Sequence, residues 1–147
     1  MIPLHDQTVH ILLVEDDDVD AELIERAFEK LKLVNEITIV EDGLQAFQAL
    51  RGEDGYKRVH RPYLILLDIN LPRMNGLEFL HKLRQDDELK RSIVFVLTTS
   101  NNEADKKAAY TDHVSGYILK GAVGESILDL PLMIKNYWRI VEFPRDK

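Results

Sequence analysis

Four apolar runs, each closed or followed by a polar residue of a different kind, constrain this chain more than any other feature. His10-Ile-Leu-Leu-Val14 precedes the acidic cluster Glu15-Asp16-Asp17-Asp18, and Tyr63-Leu-Ile-Leu-Leu67 ends at Asp68. Ile93-Val-Phe-Val-Leu97 ends at Thr98, and Gly116-Tyr-Ile-Leu119 ends at Lys120. Short, unbroken aliphatic and β-branched runs separated by helical periodicity read as parallel strands buried on both faces. Ligands of an open α/β sheet bind beyond the carboxyl ends of such strands. Carboxylates, a hydroxyl and an ammonium are therefore expected to converge on one rim, the composition of a magnesium-assisted phosphoryl site.

The alternation of strand and helix runs five times. Strand one is His10 to Val14, followed by a helix from Asp18 to about Lys32. Val19, Leu23, Ala27 and Leu31 form its apolar stripe, with Ile24 and Phe28 beside them. Strand two, Glu36 to Val40, turns at Asp42-Gly43 into a helix carrying Leu44, Phe47 and Leu50. A polar loop from Gly52 to Pro62 leads to strand three, Tyr63 to Leu67, and Gly76 to Leu89 is helical. Strand four, Ile93 to Leu97, is followed by a helix from about Glu103 to His113 with a thin apolar stripe. After strand five, Gly116 to Leu119, a glycine-bearing loop reaches a last helix with Leu130, Met133, Ile134, Tyr137, Trp138 and Val141 on one side. Pro131 falls in its first turn, where a missing N–H costs least. Right-handed crossovers then give a doubly wound α/β fold, a three-layer sandwich with helices on both sheet faces.

The 147 residues fit one domain, expected to span 1–147 without an attached output module. A formal charge of −7 argues against direct nucleic-acid binding, which usually shows a basic footprint. With no cysteine, disulfides, thiolate catalysis and cysteine-based zinc sites are excluded, and a cytoplasmic location is expected. No apolar run approaches the ~20 residues that span a bilayer, and the first residues lack the pattern of a secretory signal.

Magnesium takes oxygen ligands and keeps several waters, so one to three carboxylates suffice. Glu15, Asp16 and Asp17 follow strand one, and Asp68 follows strand three. If those strands are neighbours, the carboxylates crowd together and a divalent cation relieves their repulsion. An acidic run before a helix is also a common N-terminal cap. Asp68, by contrast, has no helix to cap until about Asn75. It is a plausible nucleophile toward phosphorus, with Thr98 hydrogen-bonding one equatorial oxygen and Lys120 pairing with another. Taken singly, Thr98 is more often a strand-end residue or helix cap and Lys120 more often a solvated surface lysine; it is their joint placement, one per strand end, that weakens those readings. The five histidines show no metal-ligand spacing, no glycine loop cradles phosphate, and Ser100 has no triad partner.

These residues resemble the receiver domains of two-component response regulators. The matching pieces are Ile11-Leu-Leu-Val-Glu-Asp-Asp17, Glu41-Asp-Gly43, Leu66-Leu-Asp-Ile-Asn-Leu-Pro-Arg-Met-Asn-Gly76, Val96-Leu-Thr98 and Gly116-Tyr-Ile-Leu-Lys120. The resemblance covers about residues 9–142. It implies a five-stranded parallel sheet in order 2-1-3-4-5, the flavodoxin-like arrangement. It also implies that Asp68 accepts a phosphoryl group from a phosphohistidine on a sensor histidine kinase, with Mg²⁺ bound. Glu15 and Asp16 match the metal-binding acidic pair; Asp16, Asp68 and the backbone carbonyl of Asn70 match the ligands. Thr98 and Lys120 match the phosphate-sensing hydroxyl and ammonium, and Tyr117 the switch aromatic. Such a protein is a phosphoacceptor in signalling rather than an enzyme.

Within the family the chain looks most like the single-domain regulators of bacterial and cyanobacterial phytochrome kinases. The short amino-terminal extension, the loop from Gly52 to Pro62 and the ending Tyr137-Trp-Arg-Ile-Val-Glu-Phe-Pro144 carry that likeness. Two positions depart from the family pattern. Gly121 follows Lys120 where proline, often in a cis peptide, is usual, and Thr99 stands where a smaller residue is common. Leu132, Ile140 and Phe143 lie off the main stripe of the last helix, so a homodimer through helix four, strand five and helix five is expected. A phosphorylation-independent interaction module is the alternative. A haloacid-dehalogenase-type phosphatase is a further one, but its nucleophile strand needs an Asp-x-Asp pair, and here the pair is Asp68-Ile-Asn70.

Overall fold

A computed structural model describes residues 9–123 and 128–143. The amino-terminal extension, the segment around Gly124 and the ending at Pro144 lie outside the described residues. In chain order the elements are β1 (His10–Val14), α1 (Asp18–Lys30), β2 (Ile37–Val40), α2 (Gly43–Arg51), β3 (Tyr63–Leu67) and α3 (Gly76–Gln85). Then come β4 (Ile93–Thr98), α4 (Glu103–Thr111), β5 (Gly116–Leu119), α5 (Lys120–Val123) and α6 (Asp129–Ile140). The five strands form one sheet in order β2-β1-β3-β4-β5, with every neighbouring pair parallel.

Every residue of β1 and β3 is buried, which is why their sequences are continuous apolar runs without polar alternation. Side chains alternate across the sheet and feed two cores. Leu12, Val14, Ile65, Leu67, Val94 and Val96 pack with Phe47 and Leu50 of α2, Phe79, Leu80 and Leu83 of α3 and Ala109 of α4. Ile11, Leu13, Leu64, Leu66, Phe95 and Leu97 pack with Ala21, Ile24 and Phe28 of α1 and Leu130, Ile134 and Trp138 of α6. The result is the doubly wound three-layer sandwich.

Four helices begin on a side-chain cap that accepts otherwise orphaned backbone N–H groups. Asp17 caps α1, Asp42 α2, Asn75 α3 and Asn102 α4. Each such cap is worth about 1 kcal/mol.

The structure corrects three details of the sequence reading. Val19 and Leu23 are exposed, at 66% and 46%, while the expected Ile24, Ala27 and Phe28 are buried and Ala21 joins them, so the buried face of α1 is turned from the stripe that was read. The helix after Gly76 stops at Gln85 because Asp86 turns extended and its carboxylate accepts from the N–H groups of Glu88 and Leu89. Between β5 and the last helix lies a short extra helix, α5, that opens at Lys120 itself.

Candidate functional site

The site lies beyond the carboxyl ends of β1, β3, β4 and β5. Two backbone bonds carry the ladder one residue past the strands: Glu15 N–H donates to the Val40 carbonyl at 2.9 Å, and Asp68 N–H to the Val14 carbonyl at 3.0 Å. The order β2-β1-β3 makes Glu15 and Asp68 neighbours on adjacent strand ends. Oxygens of Glu15, Asp16 and Asp68 lie within 4.8 Å of one another. Glu15 and Asp68 are buried while Asp16 faces solvent, so the carboxylate cluster is reached by solvent on its Asp16 side. An all-oxygen donor set of this charge suits Mg²⁺.

The acidic run divides its labour. Asp17 is the helix cap, accepting from Val19 N–H at 2.9 Å and Asp20 N–H at 3.1 Å. Asp17 N–H in turn donates to Glu15 Oε2 at 3.2 Å, which fixes that carboxylate. The capping reading of the run falls on Asp17, while Glu15 and Asp16 lie with Asp68 in the carboxylate group.

Lys120 Nζ sits among the carboxylates, 2.6 Å from Glu15 Oε1, 2.8 Å from Asp20 Oδ2 and 3.1 Å from Asp68 Oδ2. Burial pulls its pKa down, but the bonds to Asp20 and Glu15 and the charges of Asp68 and Glu15 outweigh this and hold it above the ordinary lysine value. Burial raises Glu15 to about 7 even though Lys120 opposes the shift. Perturbed groups gathered in one charged cluster are a common mark of function. Asp20, on the first turn of α1, was not singled out from the sequence. Its place three residues after the capping Asp17, in the first turn of the helix that follows the acidic run, is the signal that could have found it.

The loop from Asp68 to Asn75 is held closely. Asn70 N–H donates to Asp68 Oδ1 at 3.2 Å. Gly76 N–H reaches the Ile69 carbonyl at 2.9 Å, and a Cβ on Gly76 would fall 2.1 Å from the Asp68 carbonyl oxygen. Arg73, at φ 57°, donates from Nε to Asp42 Oδ2 at 2.6 Å, and Asp42 is fully buried. The Asp-Gly turn therefore has a second task, anchoring the loop that follows the phosphoacceptor candidate.

Thr98 is fully buried at the end of β4, and its Oγ1 accepts from Ser100 N–H at 3.3 Å. Tyr117 is half-buried on β5, packed against the core on the α3 and α4 side. Burial raises the pKa of its phenol, and the hydroxyl donates to the Ser100 carbonyl at 2.9 Å. Ser100 Oγ donates to Asp105 Oδ2 at 2.7 Å, so the loop after β4 is tied to both β5 and α4.

Among the described residues the one cis peptide is Arg61–Pro62, so the bond after Lys120 is trans. Thr99 is exposed at the end of β4. Leu132 and Ile140 are exposed at 44% and 83%, but Phe143 packs on Tyr137 and the α1–α6 core, so it does not join an outward patch. His10 and His60, far apart in sequence, do meet with Glu36 at the other end of β1. Both ring nitrogens of His10 are engaged there, Nε2 with Thr38 Oγ1 at 2.7 Å and Nδ1 with the N–H of His60 at 3.1 Å. Their partners make His10 a satisfied core histidine.

The chain belongs to the response regulator receiver domain family, whose pattern it matches over residues 11–130. It is 39% identical over 128 residues to the response regulator Rcp1 of Synechocystis sp., covering 87% of each chain. It is equally identical over 128 residues to the probable methanogenesis regulatory protein FilR2 of Methanothrix harundinacea, covering 87% of this chain and 82% of that one. Among solved structures it is similar to the phosphorylated cyanobacterial phytochrome response regulator RcpA, with a TM-score of 0.83, 38% identity and coverage of 95% of this chain and 100% of the other. The Mn²⁺-bound form of Rcp1 superposes with a TM-score of 0.81 at 38% identity, covering 93% and 99%. Receiver-domain response regulators are signalling proteins, and this chain is related to those of phytochromes. Family membership also sets aside the haloacid-dehalogenase alternative.

Proposed function

We propose that this protein is a phosphorelay switch in which Asp68 accepts a phosphoryl group from a phosphohistidine of a sensor histidine kinase. The supporting observation is the convergence on Asp68 of the Lys120 ammonium, 3.1 Å away, and the oxygens of Glu15 and Asp16. An Asp68 carboxylate oxygen attacks phosphorus as the phosphorus–nitrogen bond of the phosphohistidine breaks, and the departing imidazole keeps that bond's electron pair. Lys120 is placed to meet the charge that gathers on the equatorial oxygens, and Thr98 to donate its hydroxyl to another of them. Asp16, Asp68 and the Asn70 carbonyl would hold Mg²⁺, with Glu15 beside them. That ion neutralises phosphoryl and carboxylate charge when bound.

The output is a change of protein contacts. Once Thr98 turns its hydroxyl to the phosphoryl group, its bond from Ser100 N–H is given up and the loop carrying the Tyr117 partner is released. Tyr117 then repacks, altering the α4–β5 face. The kinase is of the phytochrome type, by analogy with the relatives named above. A homodimer forms through α4, β5 and α6, where Tyr110, Leu132 and Ile140 are exposed. The receiver domain acts in the cytoplasm, as a phosphoacceptor rather than an enzyme. Neither nucleic acid nor membrane is among the partners proposed. Among the described residues no helix is long and apolar enough to cross a bilayer.

Incubation with a small phosphodonor, with Mg²⁺ or with a chelator, followed by intact-mass measurement tests this reading. One phosphoryl adduct is expected in the presence of Mg²⁺ and none in the Asp68→Asn variant. An unmodified protein under all conditions would leave a phosphorylation-independent interaction module as the better account.

A further inference from the structure

The Lys120 ammonium has a partner that phosphoryl transfer itself does not call for. It carries three N–H donors, and Glu15, Asp20 and Asp68 stand around it at 2.6, 2.8 and 3.1 Å. Glu15 and Asp68 belong to the carboxylate group that suits a metal, and Asp68 is the reacting group. Asp20 is neither. We propose that Asp20 is a positioning residue that tethers Lys120 over Asp68 before and throughout phosphoryl transfer. This rests on the phosphoacceptor reading of Asp68.

Two observations carry the inference beyond the bare contact. First, the backbone after Lys120 gives the side chain little guidance. Gly121 follows Lys120 in the short α5, and a Cβ placed there would meet nothing within 4 Å. A lysine stem has large rotamer freedom, so an ammonium that must meet a developing charge gains from being ordered beforehand. Second, the backbone that carries Asp20 is itself fixed. The residue lies in the first turn of α1, and its N–H donates to Asp17 Oδ1 at 3.1 Å. Because it binds neither phosphorus nor the metal group, its bond to Lys120 persists while the ammonium exchanges Asp68 oxygen for phosphoryl oxygen. α1 thereby supplies from the side the constraint that the following residue does not.

The test measures the rate of adduct formation on the full chain with phosphoramidate and Mg²⁺, by intact mass. Asp20→Ala is expected to slow formation on the order of three- to tenfold, the worth of one charge-assisted hydrogen bond at a partly exposed site. Asp20→Glu is expected to recover most of the rate. In a Lys120→Met background, Asp20→Ala is expected to add no further slowing, which a purely structural role of Asp20 in α1 would not predict. Thermal unfolding and circular dichroism check the fold, and Asp20→Asn replaces Asp20→Ala if the latter unfolds. A wild-type rate in the Asp20 variants, or equal slowing with and without Lys120, overturns the tether while leaving Asp68 as phosphoacceptor. Absence of any adduct on the wild type overturns both.

Discussion

The hydroxyl of Tyr117 donates a hydrogen bond to the backbone carbonyl of Ser100 at 2.9 Å, joining β5 to the loop that follows Thr98. The same loop holds the Thr98 hydroxyl through Ser100 N–H, so one residue's backbone links the buried threonine to the aromatic ring at the edge strand. Tyr117→Phe deletes the first link and keeps the ring. Its unfolding free energy is expected to fall by about 1 kcal/mol, measured by urea denaturation. The amide resonances of residues 99–102 are expected to move further than those of β1. Unchanged resonances in that loop would show that the bond does not organise it.

Asp42 joins two elements of the site that the sequence keeps apart. It caps α2 through Gln45 N–H at 2.9 Å and holds Arg73 of the loop after Asp68. Asp42→Ala is expected to cost about 2–3 kcal/mol, a lost cap plus a charged hydrogen bond. Its Mg²⁺ affinity, followed by titration calorimetry, is expected to fall as well, because the loop bearing the Asn70 carbonyl loosens. A stability loss with unaltered Mg²⁺ affinity would confine Asp42 to capping.

Two glycines give opposite forecasts. At Gly76 a methyl group would collide with the Asp68 carbonyl oxygen and Ile69 Cα, at 2.1 and 2.7 Å. Gly76→Ala is expected to lose about 1–3 kcal/mol and to impair adduct formation at Asp68. At Gly121 a methyl group meets open space, so Gly121→Ala is expected to keep both stability and adduct formation. Equal behaviour of the two variants in melting and mass assays would contradict the packing described.

His10 gives the fold a pH dependence at the end of β1 remote from the site. Burial, with the neighbouring His60 adding to it, lowers its pKa from the usual 6.5 to about 4. Between those values the unfolded chain holds a proton that the folded chain does not. Stability from this source is intact above pH 6.5 and is lost as pH falls toward 4, by up to about 3 kcal/mol. His10→Leu is expected to be less stable at pH 7 and to show a flatter decline over that window in denaturant titrations. An unaltered slope in the variant would place the acid sensitivity elsewhere.

β1 and β3 were legible because burial on both faces leaves their residues no polar option, and the half-buried edge strand β5 also has the bounds its short apolar run suggested. The gathering of Glu15, Asp16, Asp68 and Lys120 was legible from their placement at strand ends together with the strand order that the family resemblance implied. What escaped depended on helix phase and long-range pairing. The cap at Asp17 turns α1 so that Ala21, rather than Val19, faces the sheet, and that same rotation brings Asp20 to Lys120. Asp42 read as a turn residue because its partner Arg73 lies 31 residues away. The short α5 has too few residues to show a period.

The central claim is that Asp68 itself forms an acyl phosphate. Borohydride reduces such an anhydride to an alcohol and so turns the modified aspartate into homoserine, which peptide mass spectrometry locates. Protein treated with phosphodonor and Mg²⁺ is predicted to carry homoserine at position 68 and at no other aspartate. Reduction product at Asp16, at Asp20 or at no carboxylate would contradict the account.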